Sequence, residues 1–292
     1  MPAREADSGL GEAVLAEAVA ACRSALGSRL IAGYALGSLA HGGFSPLVSD
    51  VDLGLILADP ARQTDRLVIR RAAGRVRAGG SPLHQRLSVF WGTPSTLRGQ
   101  ASGGRFPPLD RLDLLAHGRL LTGQDARAGL PRPDRAELLT GGAEFALGYL
   151  AGDRALAGRL RDWARLRRPD GGAVAEIRTP SLLASRRPRR LTKLVLFPVR
   201  FLFTAQTGRV GTNSLAAEHY CASPDAPAAE LVTAALAWRR EPPAAGEVPA
   251  LLGRDLLSLY LHYIDDHIGR LHAAGEHRLA SRFGRWRARL LA

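Results

Sequence analysis

Lysine is all but missing from this chain. Of its 40 basic residues every one except Lys193 is arginine, and against 27 acids they leave a net charge of +13. The two cysteines, Cys22 and Cys221, stand far apart without metal-type spacing. That excludes a disulfide framework and a cysteine zinc site, and makes the reducing cytoplasm the expected compartment. Aromatic residues make up 6% of the chain and do not interleave with the arginines, as a single-strand nucleic-acid platform requires. Arginine without lysine, beside abundant alanine, leucine, glycine and proline, is also what GC-rich coding produces. The charge therefore favours an anionic partner without choosing one. No long hydrophobic run is present. The most apolar one, LVLFPVRFLF, is broken by Pro198 and Arg200 and is too short to span a bilayer. The N-terminal MPAREADSGLGEAVLAEAVAAC mixes acids with its apolar residues and does not read as a signal peptide. One further absence is local: no Asp or Glu occurs between Asp65 and Asp110.

What remains is a chain of 292 residues, 46% hydrophobic, enough for two domains with buried cores. Apolar residues at three- and four-residue steps (Leu10, Val14, Leu15, Val19, Cys22) predict an amphipathic helix ending near Gly27. The period then changes. RLIAGYALG, VDLGLIL and RLSVFWG are short apolar runs bounded by turn residues and read as strands, with a helix between the second and third. After HGRLLTGQD the chain turns helical, in RAELLTGGAEFALGYLAGDRALAGRLRDWARLRR and again in LTKLVLFPVRFLFTAQTG, expected to kink or restart at Pro198. The segment GRFPPLDRLDLLAHGRLLTG, with Pro107 and Pro108 opening a short helix, reads as a bridge between domains, or else as a cleft lining through Arg105, Arg111 and His117. The expected architecture is an α/β domain over residues 1–125, a mixed sheet flanked by helices. An all-α bundle over 126–292 follows, with a linker near 167–190.

The stretch YALGSLAHGGFSPLVSDVDLGLIL carries the chemistry. Gly37 and Ser38 close the first strand, and Asp50-Val51-Asp52 opens the second. Residues i and i+2 of a strand share a face, so Asp50 and Asp52 point together and Val51 points into the core. Paired carboxylates repel unless a hard cation lies between them, and magnesium favours one or two carboxylates plus phosphate oxygens. Gly37 lets a backbone approach phosphate, and Ser38 adds a hydroxyl and an amide donor where it opens a helix.

This arrangement resembles the nucleotidyltransferase superfamily of DNA polymerase beta. Within it, the chain looks most similar to the antibiotic (aminoglycoside or lincosamide) nucleotidyltransferases, which pair this domain with a C-terminal helical bundle. The resemblance implies transfer of a nucleoside monophosphate, AMP from ATP, to a hydroxyl with release of pyrophosphate. Asp50 and Asp52 would hold Mg2+, and Gly37, Ser38, His41 and Ser49 would form the nucleotide loop. Lys193 and Arg200, seven residues apart on one helix of the second domain, would reach phosphate, although a solvated lysine snorkelling from an apolar helix is as natural a reading. The family's third carboxylate lies on a later strand. Here that strand, HQRLSVFWG, offers Ser88 at the position. Either Asp110 or Asp113 swings in, with Asp113 the candidate kept, or water or substrate takes its place, or catalysis is lost. The implied partners are a nucleoside triphosphate and an unidentified small-molecule acceptor, rather than protein or RNA, and no membrane. The alternative is a catalytically weak or silent relative that binds nucleotide or a partner.

Two helical segments call for separate expectations. YLHYIDDHIGRLH places His262 and Asp266 on one face, a spacing that can bind metal, but reads first as a solvated polar face opposite Leu261, Ile264 and Ile268. In TGRVGTNSLAAEHY, Asn213 or Ser214 is expected to cap the next helix.

Overall fold

The computed structural model describes residues 2–156, 172–244 and 246–292. The end of the helical stretch expected from RAELLTGG onward, LRDWARLRR with Trp163, lies outside the described residues. The chain divides into two compact units, Met1–Pro133 and Asp134–Ala292.

The first unit is built on four strands, β1 (Leu30–Leu36), β2 (Val51–Leu57), β3 (Leu87–Gly92) and β4 (Arg119–Gly123), in the order β3-β2-β1-β4. β1 runs antiparallel to β2 and β4, and β2 runs parallel to β3. The sheet is mixed because the β2–β3 connection is a helical crossover through α3 (Gln63–Arg77), while β1 returns antiparallel into β2 through residues 37–50. Side-chain alternation splits the core in two. Leu53, Leu55, Leu87, Val89 and Trp91 pack with Val14, Leu15, Ala18 and Cys22 of α1 (Pro2–Leu26) and with Ile69 and Val76 of α3. Tyr34, Leu36, Ile56 and Phe90 pack on the opposite face with Leu97 and Leu114. Burial pushes the Cys22 thiol up to about 11, so it is an inert core residue.

The strand β4 is absent from the sequence expectation, and the segment read as a bridge belongs to the first unit. Its helix, α6 by chain order (Pro108–His117), does begin at the proline pair. The short helices before it are α2 (Ser38–His41), α4 (Pro82–Gln85) and α5 (Pro94–Leu97).

The second unit is helical among its described residues. α7 (Arg135–Tyr149) opens with a reciprocal cap in which Asp134 accepts from the Glu137 amide and the Glu137 carboxylate accepts from the Asp134 amide. Where it is described, the segment read as a linker forms α8 (Val174–Arg178) and α9 (Pro180–Ala184), which bury Ile177 and Leu183. α10 (Pro188–Thr207) runs through Pro198 as one helix. α11 (Asn213–Cys221) is capped by Thr212, one residue earlier than Asn213, its hydroxyl accepting from the Leu215 amide at 3.1 Å. α12 (Ala229–Ala237), α13 (Glu247–Ala273) and α14 (His277–Leu291) complete the unit. Among the described residues no helix is long and apolar enough to cross a membrane.

The buried stripe of α13 differs from the expected one: Tyr260, Tyr263, Ile264, His267 and Leu271 face the core, while Leu261 and Ile268 are half-exposed. The His267 ring stacks on Phe283 at 5.6 Å and packs 4.3 Å from Tyr263. Burial, opposed by Asp266, holds its pKa below the ordinary 6.5. The unfolded chain therefore takes up a proton as pH falls through about 6.5 while the folded chain resists it, so stability is lost on acidification. Melting curves at pH 7.5 and pH 5 are expected to show this drop, and His267→Gln to flatten it. An unchanged slope in the variant would place the acid sensitivity elsewhere.

Candidate active site

The site begins where β1 ends. Gly37 adopts φ 60°, ψ −147° and leads straight into α2, whose last amide, that of His41, donates to the Gly37 carbonyl at 3.0 Å. Ser38 thus opens a helix, as expected, though of only one turn. The return loop is pinned from within: the Ser49 hydroxyl accepts from the Ser45 amide at 3.0 Å, and the Arg86 guanidinium donates to the Pro46 carbonyl at 2.7 Å. Ser49 is buried and serves the loop's shape.

β2 starts at Val51, fully buried, with Asp50 just before it and Asp52 half-buried within it. Asp52 stands opposite Leu36 on one side and Ser88 on the other. Ser88 therefore occupies the place on β3 nearest to Asp52, and that strand brings no acid to it. An acid arrives from α6 instead. Asp113 Oδ2 accepts from the Gly37 amide at 2.6 Å, and Asp113 Oδ1 lies 3.9 Å from His41 Nε2. A methyl group added to Gly37 would sit 2.5 Å from Asp52 Oδ2, so the Asp52 and Asp113 carboxylates lie within about 8 Å of each other across one glycine. The His41 ring meets the edge of His117 at 5.5 Å. Asp113 Oδ1 is buried and has no hydrogen-bond partner among the described residues.

Arg105 enters from the loop before α6. Its backbone pairs with Trp91 as an antiparallel bridge, its Nη1 donates to the Val89 carbonyl at 2.8 Å, and its guanidinium carbon lies 4.8 Å over the Phe90 ring. Burial lowers its pKa, with the Asp110 and Asp52 carboxylates opposing the shift. Arg111 donates instead to the Leu97 carbonyl at 3.3 Å.

The structure thus gathers Gly37, Ser38, His41, Asp50, Asp52 and Asp113 in the first unit. Lys193 and Arg200 belong to the second, on α10, where they share a half-buried face with Phe197. The Lys193 ammonium lies 5.8 Å from the Phe197 ring centre. Desolvation and then the Arg200 charge push Arg239 down to about 10. Among the described residues no group of three or more His, Cys, Asp or Glu converges as a metal cage, so the His262–Asp266 spacing forms none. Asp266 is taken by Arg270 at 2.8 Å.

The contact that sequence reasoning misses is the one between Asp113 and the Gly37 amide, 76 residues apart. Its sequence signal is the acid-free run that ends at Asp110 in the first turn of α6, which made Asp113 a candidate acid without showing that it would bond the Gly37 amide.

No family model matches the chain, and no curated protein sequence matches it. Among solved structures it is similar to the spectinomycin adenyltransferase AAD(9) of Enterococcus faecialis, determined with ATP and spectinomycin. The TM-score is 0.55 at 12% identity, over 85% of this chain and 97% of that one. The chain therefore has a nucleotidyltransferase-like fold, a mixed four-stranded α/β domain followed by a helical domain.

Proposed function

We propose that this protein transfers AMP from ATP to a hydroxyl of a small-molecule acceptor, releasing pyrophosphate. The observation that carries the reading is the meeting of two carboxylates at Gly37, Asp113 on its amide and Asp52 against its Cα, where β1 hands over to α2. Backbone amides at a glycine turn suit phosphate, and adjacent carboxylates suit a divalent cation. Asp50 and Asp52 offer two oxygen ligands, and triphosphate oxygens supply the rest of the set that magnesium accepts. Bound magnesium would stabilise charge on the entering and leaving oxygens.

Each of the chain's own groups then has a task. The Ser38 amide and hydroxyl hold the outer phosphates, while the Gly37 amide holds Asp113. His41 and Ser49 keep the loop in shape. Asp113, whose Oδ1 accepts no hydrogen bond among the described residues and lies 3.9 Å from His41 Nε2, takes up the acceptor's proton. The likeness to an enzyme solved with spectinomycin supports testing cyclitol and sugar hydroxyls first.

Ser88 beside Asp52 favours a second reading, nucleotide binding without turnover. Calorimetry with the four magnesium nucleoside triphosphates tests the first step, and pyrophosphate release across a panel of hydroxyl acceptors separates the two readings. A wild-type chain that binds none of the four overturns both.

A further inference from the structure

On the sheet face that carries Asp52, the side chain level with it on β3 is Ser88, and the next on that face is Phe90. Over the Phe90 ring lies the Arg105 guanidinium. Its backbone is fixed to Trp91 by two hydrogen bonds, so the side chain runs back along the outer edge of β3 to the Val89 carbonyl, toward the Ser88 level. Stacking and one hydrogen bond orient the fork, and they leave nitrogen unused. Arg105 Nε is buried with no hydrogen-bond partner among the described residues. A buried donor without an acceptor is costly, and a guanidinium is shaped to take two oxygens of a phosphate. The acids at this end of the sheet, Asp52 and Asp110, act on Arg105 electrostatically. A fixed cation beside them leaves less negative charge to attract metal ions.

We infer that Arg105, held over Phe90 and against the Val89 carbonyl at the outer edge of β3, is a triphosphate-binding residue that supplies the positive charge a second divalent ion would otherwise bring. The inference rests on the nucleotide reading above and deepens it. Asp50 and Asp52 then handle a single ion, and Arg105 binds phosphate oxygens whether or not that ion is present.

The test is calorimetric titration of the full chain with ATP in excess chelator, so that no divalent ion contributes, on wild type, Arg105→Gln, Arg105→Lys and Asp52→Asn. Arg105→Gln is expected to weaken metal-free binding on the order of tenfold. Arg105→Lys should recover part of that loss, because charge survives without the fork. Asp52→Asn should bind metal-free ATP as well as wild type or better, since it removes a negative charge from the phosphate's surroundings. If Arg105→Gln does not fold, Arg105→Met keeps a stem over Phe90 and takes its place. Neutral variants that bind metal-free ATP like wild type overturn the inference. So does an equal loss in the lysine and neutral variants, which would make Arg105 a strut for β3. A wild type that binds magnesium-ATP through Asp52 but not metal-free ATP overturns the inference alone. A wild type that binds neither overturns the nucleotide reading along with it.

Discussion

Asp52→Asn is expected to cut pyrophosphate release on the order of a thousandfold, the scale on which a group that holds transition-state charge contributes. The substitution is close to isosteric, and the backbone pairing of position 52 with Leu36 and Ser88 does not depend on the side chain. The side chain is half-buried against Gly37 and lies in the field of Arg105. Neutralising it removes both repulsion toward Asp113 and attraction to Arg105, so the melting temperature is expected to change little. The informative comparison is Ser88→Ala at the neighbouring register position. If Ser88 stood in as a metal ligand, its loss would approach that of Asp52→Asn. If Arg105 supplies the missing charge, Ser88→Ala should stay within a few-fold of wild type, the range of a single weak hydrogen bond. An Asp52→Asn chain that releases pyrophosphate within tenfold of wild type would place the chemistry elsewhere.

What the sequence made legible here was local. β1 and β2 announce themselves by apolar runs between turn residues, and period-two alternation is enough to put Val51 in the core and Asp52 on the other face. The start of α6 was legible from two prolines. What stayed hidden was decided by contacts between distant residues. β4 is five residues long with no buried side chain, so it lacks an alternating pattern, and its pairing with β1 supplies what its composition does not. His267 looks like a surface residue until the rings of Tyr263 and Phe283 close over it, and polarity then says nothing about which face of α13 is inside. The acid question shows the same division. The sequence shows that β3 has Ser88 and no carboxylate. That α6 turns Asp113 to the Gly37 amide, while the bridge to Trp91 turns Arg105 along β3, follows only from tertiary packing.

Gly37→Ala is expected to produce the second large loss, and to do so through Asp52. At φ 60°, ψ −147° the position lies where essentially only glycine is at ease, so a side chain costs about 1–3 kcal/mol in backbone strain. It also carries a steric cost that strain alone does not contain. The new methyl would meet Asp52 Oδ2 at 2.5 Å, and relief requires the carboxylate to rotate away or the Gly37 amide to leave Asp113. Disturbing the groups that orient a metal-binding carboxylate typically costs about 10–100-fold, and a loss of that order is expected in magnesium-ATP affinity. Gly42→Ala separates the two effects. Gly42 also has positive φ, 90°, but an added methyl there would meet nothing within 4 Å. Its variant should share the fall in melting temperature and keep nucleotide affinity. If both alanine variants lose affinity alike, general loosening of the α2 loop explains the effect. If Gly37→Ala loses affinity and Gly42→Ala does not, the glycine is there to let Asp52 and the amide that holds Asp113 share one place.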